Sequence, residues 1–193
     1  MKYPIAEIFR SIQGEGVHAG RSAVFVRFAG CNLSCQWCDT DHSMTEKLTS
    51  TEIVDRVGQL GVNFVVLTGG EPVLHVDREL VESLHVVGCD TAIETNGTIQ
   101  IAGMVRRFLS WITVSPKSHF GAPFKQRSGD ELKVVWDGVV DPRALARGAE
   151  FNHFVIQPEW SMRAKVLKEI LEFIEEYPKW RLSIQLHKIL NLP

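Results

Sequence analysis

Apolar residues recur along this chain in two spacings. Short runs rich in β-branched and aromatic side chains, each bounded by turn formers, predict strands at residues 23–28 (AVFVRF), 64–68 (FVVLT), 91–95 (TAIET) and 111–114 (WITV). Three more follow at 132–135 (LKVV), 154–156 (FVI) and 182–185 (LSIQ). Between them the period lengthens to that of a helix. Thr49 or Ser50 can cap a helix running to Leu60, with Glu52 in its first turn and Gly61 beyond its end. Residues 77–87 place Leu80, Val81, Leu84 and Val87 on one face before Gly88, and 143–148 can form a short helix after Pro142. The clearest pattern is 161–177, with Val166, Leu167, Ile170, Leu171 and Ile174 on one face and Pro178 after it. Strand–helix–strand repetition predicts an α/β fold with a mainly parallel sheet and right-handed crossovers. Residues 118–129 carry neither spacing and read as a mobile loop.

Composition narrows this. Of 193 residues, 45% are hydrophobic and 23% charged, enough apolar content for a core. Lys and Arg number 21 against 23 Asp and Glu, a net charge of −2, which argues against broad attraction to nucleic acid or to an anionic membrane. No apolar run approaches the roughly 18 residues of a membrane span, and the opening MKYPIAEIFRSIQGEG has no signal-peptide character. Four cysteines are too few for a disulfide-stapled scaffold. The expectation is a cytoplasmic protein whose residues 1–193 form a single domain, since no linker or repeat divides them.

The predicted strands share a second property: chemically capable groups gather at their carboxyl ends. Cys31 follows the first, Thr68, Gly69 and Gly70 the second, Glu94 and Asn96 the third, and Ser115 and Lys117 the fourth. Gln157 and Glu159 follow the sixth, and Gln185 and His187 the last. In parallel α/β folds that edge is where loops converge on one site. Cys31, Cys35 and Cys38 form a C-x3-C-x2-C loop, able to hold three corners of a cubane iron–sulfur cluster and leave one iron open. A zinc site with Asp39, Asp41 or His42 as fourth ligand is the alternative. A redox pair needs only C-x2-C and leaves the third thiol idle.

This loop, with Trp37 before its last cysteine, resembles the signature of the radical S-adenosylmethionine superfamily, and residues 67–72 (LTGGEP) resemble its glycine-rich motif. Residues 7–16 (EIFRSIQGEG), 23–31 (AVFVRFAGC) and 38–41 (CDTD) are similar to those of the 7-carboxy-7-deazaguanine synthases. So are 93–97 (IETNG), 114–117 (VSPK), 131–134 (ELKV) and 180–188 (WRLSIQLHK). The resemblance runs from about residue 5 onward. It implies a truncated, TIM-like radical barrel, since a full barrel typically takes about 250 residues. It also implies a [4Fe–4S] cluster, S-adenosylmethionine and Mg2+, and rearrangement of 6-carboxy-5,6,7,8-tetrahydropterin to 7-carboxy-7-deazaguanine with loss of ammonia, on the route to queuosine. A homodimer and an electron donor such as flavodoxin or ferredoxin belong to the same expectation.

Matched residue by residue, the resemblance makes Cys31, Cys35 and Cys38 the cluster ligands and Thr40 the Mg2+ ligand. Trp37, Asp39, Gly70, Glu94, Ser115, Pro116, Lys117 and Gln157 would bind S-adenosylmethionine, Gly69 and Gly70 letting the backbone approach its amino group. Ile12, Gln13, Gly14, Glu15, Arg27, Thr68, His187 and the terminal carboxylate of Pro193 would bind the pterin, Glu15 at its guanidine-like edge and Arg27 on its carboxylate. A tag after Pro193 should then harm activity. The chain departs from the pattern at Leu186, where a Thr is expected, and has the short form of the cysteine loop. Glu159 and Trp160 carry little weight. Cys89 reads as a small buried core residue, and His18, His42, His75, His85, His119 and His153 as structural or surface. A glycyl-radical-enzyme activase, with a protein substrate, is the runner-up, and a zinc-stabilised binding module the non-enzymatic alternative.

Overall fold

The computed structural model describes residues 1–193 apart from the side chain of His119, so the expectation for that histidine lies outside the described residues. In chain order the elements are β1 (Tyr3–Ile12), β2 (Ser22–Phe28), β3 (Glu46–Leu48), α1 (Ser50–Leu60), β4 (Phe64–Gly69), α2 (Arg78–Val86), β5 (Asp90–Thr95) and α3 (Gly103–Arg106). They continue with β6 (Trp111–Val114), β7 (Ser128–Trp136), α4 (Pro142–Ala146), β8 (Glu150–Pro158), α5 (Arg163–Glu176), β9 (Trp180–Leu182) and α6 (Leu186–Leu190), with short 3₁₀ turns at Pro72–Leu74 and Ser118–Phe120. One sheet runs in the order β3-β1-β2-β4-β5-β6-β7-β8-β9. From β2 onward every pairing is parallel, while β1 is antiparallel to both β2 and β3. Strands β3 and β9 are the two edges, so the expected partial barrel is an open α/β sheet.

Both faces of a parallel sheet must be covered, and β4 shows how the sequence achieves this. Val65 and Leu67 point to the helical layer, in one cluster with Ile53 and Val57 of α1, Leu80 and Leu84 of α2, and Ile93. Phe64 and Val66 point the other way, against Ala23 and Ala92. A separate cluster of Leu132, Val134, Ile156, Val166, Ile170 and Trp180 seats α5 on β7, β8 and β9. Helix α1 starts at a reciprocal capping box, Thr49 with Glu52, and stops at Gly61 in the left-handed region at φ 68°.

Four expectations need correction. The pattern misses β1 because its period breaks: the register slips between Ile5 and Glu7, so apolar positions shift from Tyr3 and Ile5 to Ile8. The last strand is Trp180–Leu182 rather than 182–185, since buried Trp180 pairs with Phe154 and Gln185 already precedes α6. Segment 118–129 is tied down in its second half, where Lys125 and Gln126 donate backbone N–H groups to the Gly97 carbonyl and the buried Gln126 side chain accepts from the Ile101 N–H. Cys89 is half-buried at the entry to β5, touching the core without belonging to it.

The core carries the stability. Leu67→Ala, at a fully buried site, should lower unfolding free energy by about 2–5 kcal/mol, and Thr49→Ala, losing the capping box, by about 1 kcal/mol, both read by urea denaturation.

Candidate active site

At the carboxyl edge of the sheet lies a cavity of about 750 Å³. Every site residue singled out from the sequence lies on its wall except Pro116, which is buried off it between Ser115 and Lys117. One wall is the cysteine loop between β2 and β3. Its entry is fixed by the double glycine that ends β4. A Cβ on Gly70 would fall 1.9 Å from the Gly30 carbonyl oxygen, and one on Gly69, at φ 127°, would fall 2.2 Å from that of Phe28. These glycines therefore permit a close approach to the backbone leading into Cys31, a demand of packing additional to the ligand contact the motif suggests. Gly70 N–H donates to the Phe28 carbonyl and Glu71 N–H to that of Gly30.

Glu71 is fully buried and accepts from the Thr95 hydroxyl (2.7 Å), the Asn96 N–H (2.7 Å) and the Val73 N–H (3.0 Å). Burial pushes its pKa up, and these donors work against that rise. Asn96 donates to Asn32, which donates to Thr98, so the cysteine loop is tied to the end of β5 as well.

The three thiols line the cavity without being drawn onto a common point, since among the described residues no set of three His, Cys, Asp or Glu side chains is placed to hold a metal ion. Burial raises the pKa of Cys31 and Cys35, and the positive charge of Lys117 acts against the rise at Cys35. The donor set nevertheless fits an iron–sulfur cluster better than zinc. Asp39 is engaged by Lys188, and Asp41 accepts the Ser43 N–H at 2.9 Å, so both carboxylates beside the three sulfurs already have partners. The Lys117 ammonium donates to the Ser115 carbonyl and hydroxyl, and lies 5.2 Å from the Trp37 ring. Burial and then the charge of Lys133 lower its pKa to about 8.

The opposite wall is built from the segment after β1, from β7 and from the tail. Gln13 donates to Glu94 at 2.8 Å, and Thr68 to the same carboxylate at 3.4 Å. Glu94, which the resemblance gives to S-adenosylmethionine, is thus bonded to two residues it gives to the pterin. Glu15 is paired with Lys133 on β7 and accepts from Gln185 at 2.8 Å. Burial raises the Glu15 pKa, but Lys133 and Gln185 outweigh it and hold the carboxyl at about 2. Lys133 is correspondingly held above the usual lysine range by Glu15, Glu94 and Glu131 against its own burial. Glu131 accepts the Val17 N–H at 2.7 Å, and a Cβ on Gly16, at φ 67°, would strike it. Gln185 also reaches Asp39 at 3.3 Å, and His187 packs against Gly14 so closely that a Cβ there would lie 2.2 Å from Nδ1. The Pro193 carbonyl accepts from Ser11.

Sequence reasoning missed the roles of Glu71, Glu131, Lys133 and Lys188. The signal at β7 was legible: Glu131 and Lys133 alternate with the apolar Leu132 and Val134, which puts two charges on one face. Glu159 and Trp160 both lie on the cavity wall, Glu159 accepting the Ser161 and Met162 N–H groups ahead of α5 and Trp160 lying beneath Arg163 and Lys188. His18 stacks edge-on to Phe64 and Trp111, and a ring nitrogen of His75 bonds the Ala29 carbonyl, as structural histidines should.

A three-cysteine loop over the carboxyl edge of a parallel sheet, closed down by a double glycine, defines the class, and a sequence model of the Radical SAM superfamily matches residues 25–120. The chain is 40% identical over 192 residues to a 7-carboxy-7-deazaguanine synthase of Bacteroides thetaiotaomicron and 39% identical over 218 to one of Burkholderia multivorans, covering all of both chains in each case. Its fold matches the crystal structure of QueE from Escherichia coli with a TM-score of 0.79 at 28% identity, over 97% of this chain and 95% of that one. The chain belongs to the 7-carboxy-7-deazaguanine synthase family. These relatives lend no support to the activase alternative.

Two outcomes test the site. Gly70→Ala should retain the far-UV circular dichroism of the parent while sharply lowering the iron bound on anaerobic reconstitution, because the loop entry must move. Lys133→Met strands buried carboxylates and should cost about 3–5 kcal/mol in denaturation, whereas Lys168→Met on the exposed α5 pair with Glu172 should not register.

Proposed function

We propose that this chain is a carbon–nitrogen lyase that converts 6-carboxy-5,6,7,8-tetrahydropterin to 7-carboxy-7-deazaguanine with loss of ammonia, feeding 7-deazaguanine nucleosides such as queuosine. The observation that carries the reading is a single cavity with two unlike walls, thiols on one and hydrogen-bonding carboxylates on the other, with Arg27 also in its lining. Its volume of about 750 Å³ suits a small substrate with a cofactor, while a glycyl-radical activase needs a groove for a protein backbone. When bound, a [4Fe–4S] cluster and S-adenosylmethionine supply a carbon-centred radical able to take hydrogen from substrate.

The rest falls to the chain's own residues. Cys31, Cys35 and Cys38 hold the cluster. Trp37, Asp39, Gly70, Ser115, Pro116, Lys117 and Gln157 form the S-adenosylmethionine side, Pro116 by fixing the backbone between Ser115 and Lys117. Thr40 offers a hydroxyl oxygen to Mg2+, a hard cation that favours oxygen ligands. Ile12, Gln13, Gly14, Thr68, His187 and Pro193 enclose the pterin, and the bonds of Glu94 to Gln13 and Thr68 support placing it on this side too. Glu15, held ionised by Lys133, presents acceptor oxygens to the amino-pyrimidinone edge. Arg27 receives the substrate carboxylate.

We further take residues 1–193 as one catalytic domain acting as a cytoplasmic homodimer with a flavodoxin- or ferredoxin-like electron donor. No helix among the described residues is long and apolar enough to cross a membrane.

Anaerobically reconstituted protein, given S-adenosylmethionine, Mg2+, reductant and the carboxytetrahydropterin, should yield the deazaguanine acid by mass spectrometry. Cleavage of S-adenosylmethionine with no such product would refute the reading. Thr40→Ala should raise the Mg2+ concentration needed for half-maximal rate while leaving S-adenosylmethionine affinity nearly unchanged, and equal effects on both would remove Thr40 from the metal.

A further inference from the structure

We propose that Glu7 is a positioning residue that turns the end-on edge of Arg27 toward the substrate carboxylate, and so sets the preference for carboxylated over uncharged pterins. This rests on the reading of Arg27 given above.

Glu7 and Phe9 of β1 stand directly opposite Arg27 and Phe25 of β2, and all four side chains line the cavity. That alignment depends on the bulge. Ile5 pairs with Phe28, so an unbroken ladder would set Ala6 opposite Arg27, and the one-residue slip replaces it with Glu7. Bulges near active sites commonly re-aim a side chain in this way. Glu7 accepts from Nε of Arg27 at 2.6 Å. The guanidinium carbon lies 5.6 Å from the centroid of the Phe9 ring, which is stacked on Phe25 at 5.2 Å and 15°. The guanidinium is therefore held by one edge and steadied on one side. Its two terminal nitrogens make no hydrogen bond with the described residues, and they form the fork that matches a carboxylate.

A merely stabilising salt bridge explains this poorly. The Glu7 side chain is 50% exposed and that of Arg27 20%, a setting in which an ion pair adds little to stability. The geometry instead resembles a built support: Nε satisfied from the rim, the ring stack on one side, and the bidentate edge left for a ligand.

The test uses reconstituted holoenzyme, with KM and kcat for 6-carboxy-5,6,7,8-tetrahydropterin and the inhibition constant of its 6-carboxamide analogue. Glu7→Ala should raise KM about tenfold, the loss expected when a charged hydrogen-bond partner stops orienting its mate, with kcat within about twofold. The carboxamide constant should shift less than about twofold. Glu7→Gln, which keeps an acceptor for Nε, should recover most of the loss. An unchanged KM overturns the proposal, and so does a lowered one, because Glu7 would then be competing for Arg27. Equal weakening of acid and amide overturns it too, since that marks a general structural role. Should Glu7→Ala fold poorly, Glu7→Asp withdraws the acceptor by one methylene and must move KM in the same direction. Arg27→Gln separates the two readings. If it leaves the preference for acid over amide intact, Arg27 does not bind the carboxylate. If it erases that preference while Glu7→Ala retains it, only the role of Glu7 falls.

Discussion

The Gly30 carbonyl oxygen occupies the space that any side chain at position 70 would need. This contact between two backbones sets the layout of the whole site. It allows the parallel pair β2 and β4 to remain close past their last ladder residues, where Glu71 N–H still reaches Gly30. The chain leaving β2 is thereby forced over the carboxyl edge of the sheet, and the first cysteine comes one residue later. Glu71 then buries its carboxylate beneath this crossing and hands the constraint to β5 through Thr95 and Asn96. A buried carboxylate with three donors is stable in place, and one with fewer is not. Two glycines, one glutamate and one asparagine thus hold a loop that has little apolar packing of its own, with Cys31 and Cys35 only half-buried and Cys38 exposed.

The far wall follows a different economy, built from charge instead of close backbone packing. Glu15, Glu94 and Glu131 surround Lys133, whose charge holds the Glu15 carboxyl low against its own burial. Helix α6 is held by the same groups. None of its residues is buried, and its attachments are polar: Gln185 to Glu15 and Asp39, and Lys188 to Asp39. An element with few apolar contacts opens at low cost.

How far the sequence discloses this depends on which physical signal each part leaves. Parallel strands buried on both faces leave runs such as FVVLT, so β4 and β5 are legible almost to the residue. Strand β1 is not, because the bulge that sets Glu7 opposite Arg27 also destroys the alternation by which a strand is recognised. Helix α6 leaves no apolar face, having no buried residue, and so the pattern carries a strand up to its cap at Gln185 and finds no helix after it. In the site, cysteine spacing and the double glycine announce themselves, whereas Glu71 and Lys133 look like ordinary charges until the fold shows them buried. The glycines were legible as a motif, but their close contact with the backbone of Phe28 and Gly30 left no signal in the sequence.

An open sheet raises a last question, which is how its cavity is enclosed without a strand to close the barrel. The segment after β1 and the segment after β9 meet each other directly. Leu186 N–H donates to the Gly14 carbonyl at 2.9 Å, Gly16 N–H to the Ser183 hydroxyl at 2.9 Å, and Ser183 in turn to Gln157 at 2.8 Å. Ser11 reaches Pro193 at 3.2 Å. These bonds do for the missing strands what a ladder would do in a closed barrel, but they run between loop and tail. The seam consequently falls on residues that line the cavity: Gln13, Gly14 and Glu15 on one side, Gln185 and His187 on the other. That explains why Gly14 tolerates no side chain, since the ring of His187 fills the space. Truncating the barrel and building this cavity wall are, in this chain, one structural decision. The gap left by the absent strands is the place where the wall forms, and the hydrogen bonds that close it are made by groups on or beside the cavity lining.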